Sequence, residues 1–240
     1  MIIYKYSNIS RNLEDSLING RLYFNNPQNF NDPFDCNFIL ETECTAQEKT
    51  DYIFSNMTSQ GFSQKEIDDA VNKALNNTDS WDNLINSSKD RFLSNIGVCC
   101  FSKTNENPLL WAHYSDKHNG VCLVFDTDID SVFFDRVFSV KYRSNYPRIN
   151  FIKDRQRFNE LVLTKSIDWI YEQEVRVTKD NGGRLYDFNK NALIGVVFGC
   201  KTGISEVNRI KGLLNSNGYS VITEKASLRK GSFGIDFHII

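Results

Sequence analysis

The chain reads as an α+β protein, a single domain with a mixed or mainly antiparallel β core and a helical insertion or lid at residues 45–96. Three observations predict this. Short apolar runs bounded by turn formers recur at Gly97–Ser102, Gly120–Phe125 and Ala192–Phe198, as buried strands require. Thr45 with Glu48 and Ser63 with Glu66 are capping-box patterns, each opening a helical stretch. No repeat, linker or low-complexity tract interrupts the 240 residues, a length that one large domain accommodates.

The elements follow in order. Residues 2–6 read as a first strand. A short helix comes next, with Ser10 as N-cap, Leu13, Leu17 and Ile18 on its inner side, and Gly20 as terminator. Arg21–Phe24 is a second short strand. It runs into residues 25–35, a loop dense in turn formers where Asn31 or Asp32 closes an Asx-turn and Phe34 plugs the core. In the helical block a third helix carries Trp81, Leu84, Ile85, Phe92 and Leu93. After the strand at 97–102, Asn107-Pro108 caps a short helix through Trp111 and Tyr114. Residues 136–142 are expected to pair beside the strand at 120–125. A helix around 151–165, a strand at 169–177 and a turn at Asn181-Gly-Gly183 follow. A helix at Ser205–Asn215 and strands at 219–223 and 233–239 close the chain.

Composition bounds the function. A formal net charge of −2 argues against a dedicated duplex-binding surface, which needs a basic excess. The amino terminus lacks the pattern of a signal peptide, and no apolar run approaches the ~20 residues of a membrane span. The six cysteines form no CxxC pair and several lie in apolar runs, so they read as reduced core residues of a cytoplasmic protein with no membrane partner. Nucleotide-loop, nucleophile-elbow and HExxH motifs are all absent.

The most informative segment is Trp169-Ile-Tyr-Glu-Gln-Glu-Val-Arg-Val177. Its alternation predicts a strand with Glu172, Glu174 and Arg176 on one face and Trp169, Tyr171, Val175 and Val177 on the other. Two carboxylates about 6–7 Å apart on one face repel unless something uses them. A sugar substrate, a metal or a basic neighbour would do so. The plainer alternative is an exposed face paired with basic residues of a neighbouring strand. His113 offers an acid/base group, or simply a histidine on a short helix beside a core Trp111. Ser102 and Thr104 read more simply as strand-end hydrogen-bonders than as ligand contacts, and Trp111 and Trp169 as core.

Set together, Tyr4-Lys-Tyr6, Asn31-Asp-Pro-Phe-Asp35, Cys100-Phe-Ser102 with Leu110-Trp-Ala-His-Tyr114 and Gly120, Lys165-Ser-x-x-Trp-x-Tyr-Glu-x-Glu-Val-Arg176 and Phe198-Gly199 resemble a bacterial domain-of-unknown-function family marked by these blocks. More distantly, the layout is similar to ADP-ribosyltransferase folds, including the DarT-like nucleic-acid-modifying toxins. That resemblance implies NAD as substrate, Tyr4-Lys-Tyr6 as the first site element, Phe101-Ser102 with Thr104 as the second and Glu172-x-Glu174 as the third. It further implies Glu174 as the carboxylate beneath the ribose and Glu172 as the group that orients or deprotonates the nucleophile, favoured if its neighbour raises its pKa. Tyr6 or Tyr114 would stack on nicotinamide, and Lys5 or Arg21 would meet the pyrophosphate. One departure from the pattern is the lack of Arg or His in the first strand.

The function so implied is an ADP-ribosyltransferase acting on nucleic acid or protein, as a toxin or phage-defence effector with an antitoxin or regulatory partner. Two rivals accompany it. One is a carboxylate- or metal-dependent hydrolase or nuclease, with Glu172 and Glu174 joined by Asp32, Asp35 or His113 as ligands. The other is a non-catalytic sensor or partner-binding module that uses the helical block as its surface.

Overall fold

In the computed structural model, residues 1–154 and 157–240 are described, and their order follows from local signals for most of the chain. Strand β1 (Ile2–Ser7) leads to helix α1 (Arg11–Asn19). The Ser10 side chain accepts from the Leu13 N–H at one end of α1, and Gly20 at φ 65° closes the other. Leu13 and Leu17 are buried, whereas Ile18 is exposed, because α1 offers the sheet a stripe only one or two side chains wide. Strand β2 (Arg21–Phe24), a single 3₁₀ turn at Pro27–Asn29 and strand β3 (Ile39–Glu41) follow. The Asx-turn forms, Asp32 Oδ1 accepting from the Phe34 N–H at 2.9 Å. Phe34 itself is turned to solvent, and Phe30 takes the inward position instead.

Helices α2 (Ala46–Ser59), α3 (Gln64–Asn76) and α4 (Thr78–Asn95) make up the predicted helical block, with both capping boxes closed. Tyr52, Ile53, Ile67, Ala74, Trp81 and Ile85 form an apolar cluster of their own with Phe151. Leu84 faces outward, one residue off the buried stripe of α4.

The chain then returns to strands: β4 (Ile96–Ser102), helix α5 (Pro108–Tyr114), β5 (Val121–Asp126), β6 (Val137–Ser139), β7 (Lys141–Arg143) and β8 (Arg148–Asn150). The expected pairing of 136–142 beside β5 does not occur. The expected helix at 151–165 shrinks to one turn, α6 (Glu160–Leu163), with residues 155–156 lying outside those described. Strand β9 (Thr164–Ser166) and a 3₁₀ segment at Ile167–Glu172 precede β10 (Glu174–Asp180), and β11 (Arg184–Asp187) and β12 (Leu193–Phe198) come next. After helix α7 (Ile204–Ser216), the expected strand at 219–223 begins late, as β13 (Ile222–Leu228), and β14 (Ile235–Ile239) ends the fold.

The main sheet has eight strands in the order β14-β13-β12-β5-β1-β4-β10-β6. All neighbours are antiparallel except β12 and β13, which α7 connects in parallel. β6 joins the edge beyond β10, far from β5, while β7 pairs with β9 in a separate two-stranded ribbon. One face of the sheet packs on α1 and α7 through Leu13, Leu17, Val207, Ile210 and Leu214. Trp111 of α5 is fully buried against the other face.

One joint in this sheet differs from the rest. β1 pairs with β5 through six residue pairs but with β4 through a single pair, Tyr4 and Ser102. From there toward Ser7 the two strands diverge, and the sheet stands open between them.

Candidate functional site

The opening between β1 and β4 is a cavity of about 640 Å³. Tyr4, Lys5, Tyr6, Ser102, Tyr114, Glu172 and Glu174 all line it, joined by Asp35, His113 and Lys165. Arg21 does not. Its guanidinium is held by two nitrogens on the Asp15 carboxylate, at 2.8–3.1 Å, on the outer side of β2. Among the described residues, α2–α4 contribute nothing to the lining.

The Glu-x-Glu segment departs from the expected strand. Residues 167–172 wind as a 3₁₀ helix, which Gln173 ends at φ 45° with its N–H donated to the Ile170 carbonyl. The strand therefore starts at Glu174, and Glu172 does not share its face. The cause is local crowding of demands. Ser166 caps the turn, Asn107 Nδ2 donates to the Tyr171 carbonyl at 3.0 Å, and Ser102 Oγ donates to the Glu172 carbonyl at 2.6 Å. Those bonds hold residues 171–172 away from a ladder. Trp169 and Tyr171 consequently sit half-buried on the 3₁₀ turn, with ring centroids 5.9 Å apart, instead of on an inner strand face.

The two carboxylates still converge, through a residue to which no role was assigned from sequence. Lys165 Nζ lies 2.5 Å from Glu172 Oε2 and 3.1 Å from Glu174 Oε2. Arg176, fully buried one pleat along β10, donates Nε to Glu174 Oε1 at 2.7 Å and Nη2 to Asp35 Oδ2 at 2.6 Å. Its Nη1 reaches the Val162 carbonyl at 2.8 Å. Tyr114 donates its hydroxyl to Glu172 Oε1 at 2.7 Å, and the Tyr142 hydroxyl accepts the Glu174 N–H at 2.7 Å. The alternative of an exposed face does not hold: these carboxylates are buried, and their basic partners are Lys165 and Arg176. The alternation placed Arg176 on the face of Glu174, whereas Lys165 was not legible from it. The available signal was a lysine following the apolar run Leu161-Val-Leu163, a position where a charge must be matched.

This network drives the two carboxyls apart. Burial raises Glu172 above the ordinary range, against the opposing pull of Lys165 and the Tyr114 hydroxyl; Glu174's charge adds only the smallest part. Burial works on Glu174 too, but Arg176 and then Lys165 outweigh it and hold that carboxyl at about 2. Lys165 is disfavoured as a cation by burial and kept charged by Glu174 and Glu172. One permanently ionised carboxylate beside one that is reluctant to ionise is the arrangement from which acid–base pairs are built.

The remaining expected residues have quieter positions. Ser102 also accepts the Thr104 N–H, and Thr104 Oγ1 accepts from Glu106, so both hydroxyls act as strand-end hydrogen-bonders. Tyr6 donates to the Thr104 carbonyl at 3.0 Å and packs edge-on against Trp111. Lys5 spans the opening to the Cys100 carbonyl at 3.2 Å. His113 stands exposed between the Tyr114, Trp169 and Tyr171 rings. All six cysteines are free thiols. Among the described residues, no group of three or more His, Cys, Asp or Glu could hold a metal ion, and Asp35, Glu172 and Glu174 meet instead on Lys165 and Arg176. No helix among them is long and apolar enough to cross a membrane.

No curated protein and no solved structure matches the chain. Residues 110–177 match the model of a family described as "Protein of unknown function (DUF2971)". That stretch runs from α5 to β10 and holds Tyr114, Tyr142, Lys165, Glu172, Glu174 and Arg176. Over that stretch the chain is similar to a domain-of-unknown-function family, a resemblance of the kind its sequence blocks predicted.

Proposed function

We propose that the chain is an NAD-dependent ADP-ribosyltransferase that modifies nucleic acid or protein and serves as a toxin or phage-defence effector. The observation that carries this reading is the register of three adjacent strands. Tyr4 of β1 lies opposite Ser102 of β4, and Ser102 opposite Glu174 of β10, at the wall of one cavity. These are the first, second and third site elements that the resemblance implies, and they are far apart in the chain. A volume of about 640 Å³ is also in keeping with the roughly 300–1,000 Å³ of small-molecule sites.

The reaction assigns each group a task. The bond between ribose C1′ and the nicotinamide nitrogen breaks, and nicotinamide leaves as a neutral molecule with the bonding electrons. Glu174, ionised at any physiological pH, stabilises the positive charge left on the sugar. The acceptor's nucleophile attacks C1′ and yields its proton to Glu172, whose raised pKa makes it the better base of the pair. Tyr4, Tyr6 and Tyr114 supply aromatic surface for nicotinamide, and Lys5 supplies the cation for pyrophosphate. Arg21, engaged with Asp15, has no part.

The test is incubation with NAD labelled in its adenylate and a lysate containing RNA and protein. Label transfer by wild type, lost in Glu174→Gln and in Glu172→Gln at equal folded fraction, is the expected result. Nuclease or protease sensitivity of the label then identifies the acceptor class. A wild type that neither transfers label nor gains melting temperature with NAD overturns the reading.

A further inference from the structure

We infer that β14 is a self-pairing edge through which two copies of the chain join their main sheets. The eight-stranded sheet ends on β6 at one side and β14 at the other. β6 is only three residues long, a device that blunts an edge. β14 offers five residues, Ile-Asp-Phe-His-Ile, with Ile239 78% exposed at its end.

The ladder phase of β14 is determined by two bonds. Arg229 donates its N–H to the Gly234 carbonyl at 2.9 Å, and Ile240 donates to the Thr223 carbonyl at 3.0 Å. Bonded pairs alternate along an antiparallel ladder, so Asp236 and His238 turn their backbone groups toward β13. Ile235, Phe237 and Ile239 turn theirs outward. The edge therefore presents three N–H groups and the carbonyls of Phe237 and Ile239 without partners, while the Ile235 carbonyl accepts from Arg229 Nη2 at 3.0 Å and keeps its second lone pair. This is the spacing that another antiparallel strand needs.

The side chains select a second copy as that strand. A two-fold axis through Phe237 sets Phe237 opposite itself, Ile235 opposite Ile239 and Asp236 opposite His238. The first two are bonded pairs, which satisfies every outward backbone group of both copies. The third is a non-bonded pair, where opposed side chains approach most closely, and it occurs twice, each time setting the Asp236 carboxylate against the His238 imidazole. Asp236 also holds Arg229 at 2.8 Å, and His238 Nε2 is 2.9 Å from Ser227 Oγ, which leaves Nδ1 for the carboxylate across the axis. A shift of register by two residues would instead leave outward groups unpaired and lose both Asp–His contacts.

Light scattering behind size exclusion, over a concentration series, tests the pairing. Wild type is expected to rise from the monomer mass to twice that mass. Ile239→Pro removes an outward N–H without touching the bonds to β13, and should hold the chain at the monomer mass with its circular dichroism unchanged. Asp236→Lys places a cation opposite His238 and should raise the midpoint concentration about tenfold. The double variant Asp236→Lys with His238→Asp restores opposite charges and should return the midpoint toward wild type. A wild type that stays monomeric throughout, an Ile239→Pro variant that associates like wild type, or a double variant no better than Asp236→Lys overturns the proposal.

Discussion

The two faces of β10 are equally hidden from water and chemically opposite. Val175 and Val177 disappear into the apolar core between the sheet, α1 and α7, whereas Glu174 and Arg176 are buried among Asp35, Lys165 and Glu172. An apolar face needs only volume and shape from its neighbours. The charged face needs a specific partner for every group, since a buried charge without one is far costlier than a missing methyl. That face is also where the cavity opens. The contrast teaches that this strand carries stability on one side and chemistry on the other.

The hardest blow to the contrast is Arg176→Met, which leaves Glu174 and Asp35 buried without their guanidinium. We expect a loss of about 3–5 kcal/mol, against about 2 kcal/mol for Val177→Ala on the other face, both read from urea denaturation. Equal losses would show that the charged face is no more demanding than the apolar one.

Acid titration sharpens the same comparison, because the two glutamates have opposite signs. The Glu174 carboxyl is depressed to about 2 from an ordinary 4.5, so its stabilising contribution is complete above pH 4.5 and fades as pH falls toward about 2. Taken alone, that shift corresponds to something on the order of 3 kcal/mol at neutral pH. Glu172 is shifted upward, so the fold favours its protonated form and loses stability as pH rises above 4.5. Glu174→Gln should thus be weaker than wild type at neutral pH and approach it in acid. Glu172→Gln should gain on wild type as pH rises. Parallel pH curves for the two variants would contradict the divided roles.

The smallest effect belongs to Phe34→Ser. Sequence reasoning made Phe34 a plug, but it is 65% exposed, so its replacement should change stability by less than about 0.5 kcal/mol. A loss of several kcal/mol in urea denaturation would return the residue to the core.

Much of the architecture was legible because its causes lie within a few residues. The caps at Ser10, Thr45, Ser63 and Asn107 each bond to a backbone N–H two or three positions on, and the runs at 97–102, 120–125 and 192–198 are apolar enough for burial on both faces. Glu172 and Glu174 were visible as a pair, and Tyr4, Lys5, Tyr6, Ser102 and Tyr114 as their companions. Their sharing of one cavity was implied only by the resemblance, not by local pattern. It depends on β1 lying beside β4 and on their parting after one residue pair, a matter of sheet order and not of composition.

The segment 169–172 shows the limit most clearly. Its alternation favours a strand, and tertiary bonds from Ser102 and Asn107 turn it into a 3₁₀ helix that carries Glu172 toward Lys165. Local propensity and hydrophobic period decided what each stretch of the chain could become, because those forces act between neighbours along the backbone. The pairing of Lys165 and Arg176 with three carboxylates, and the opening that they border, were decided only in the folded molecule, because charges distant in sequence feel one another only when burial brings them together away from water.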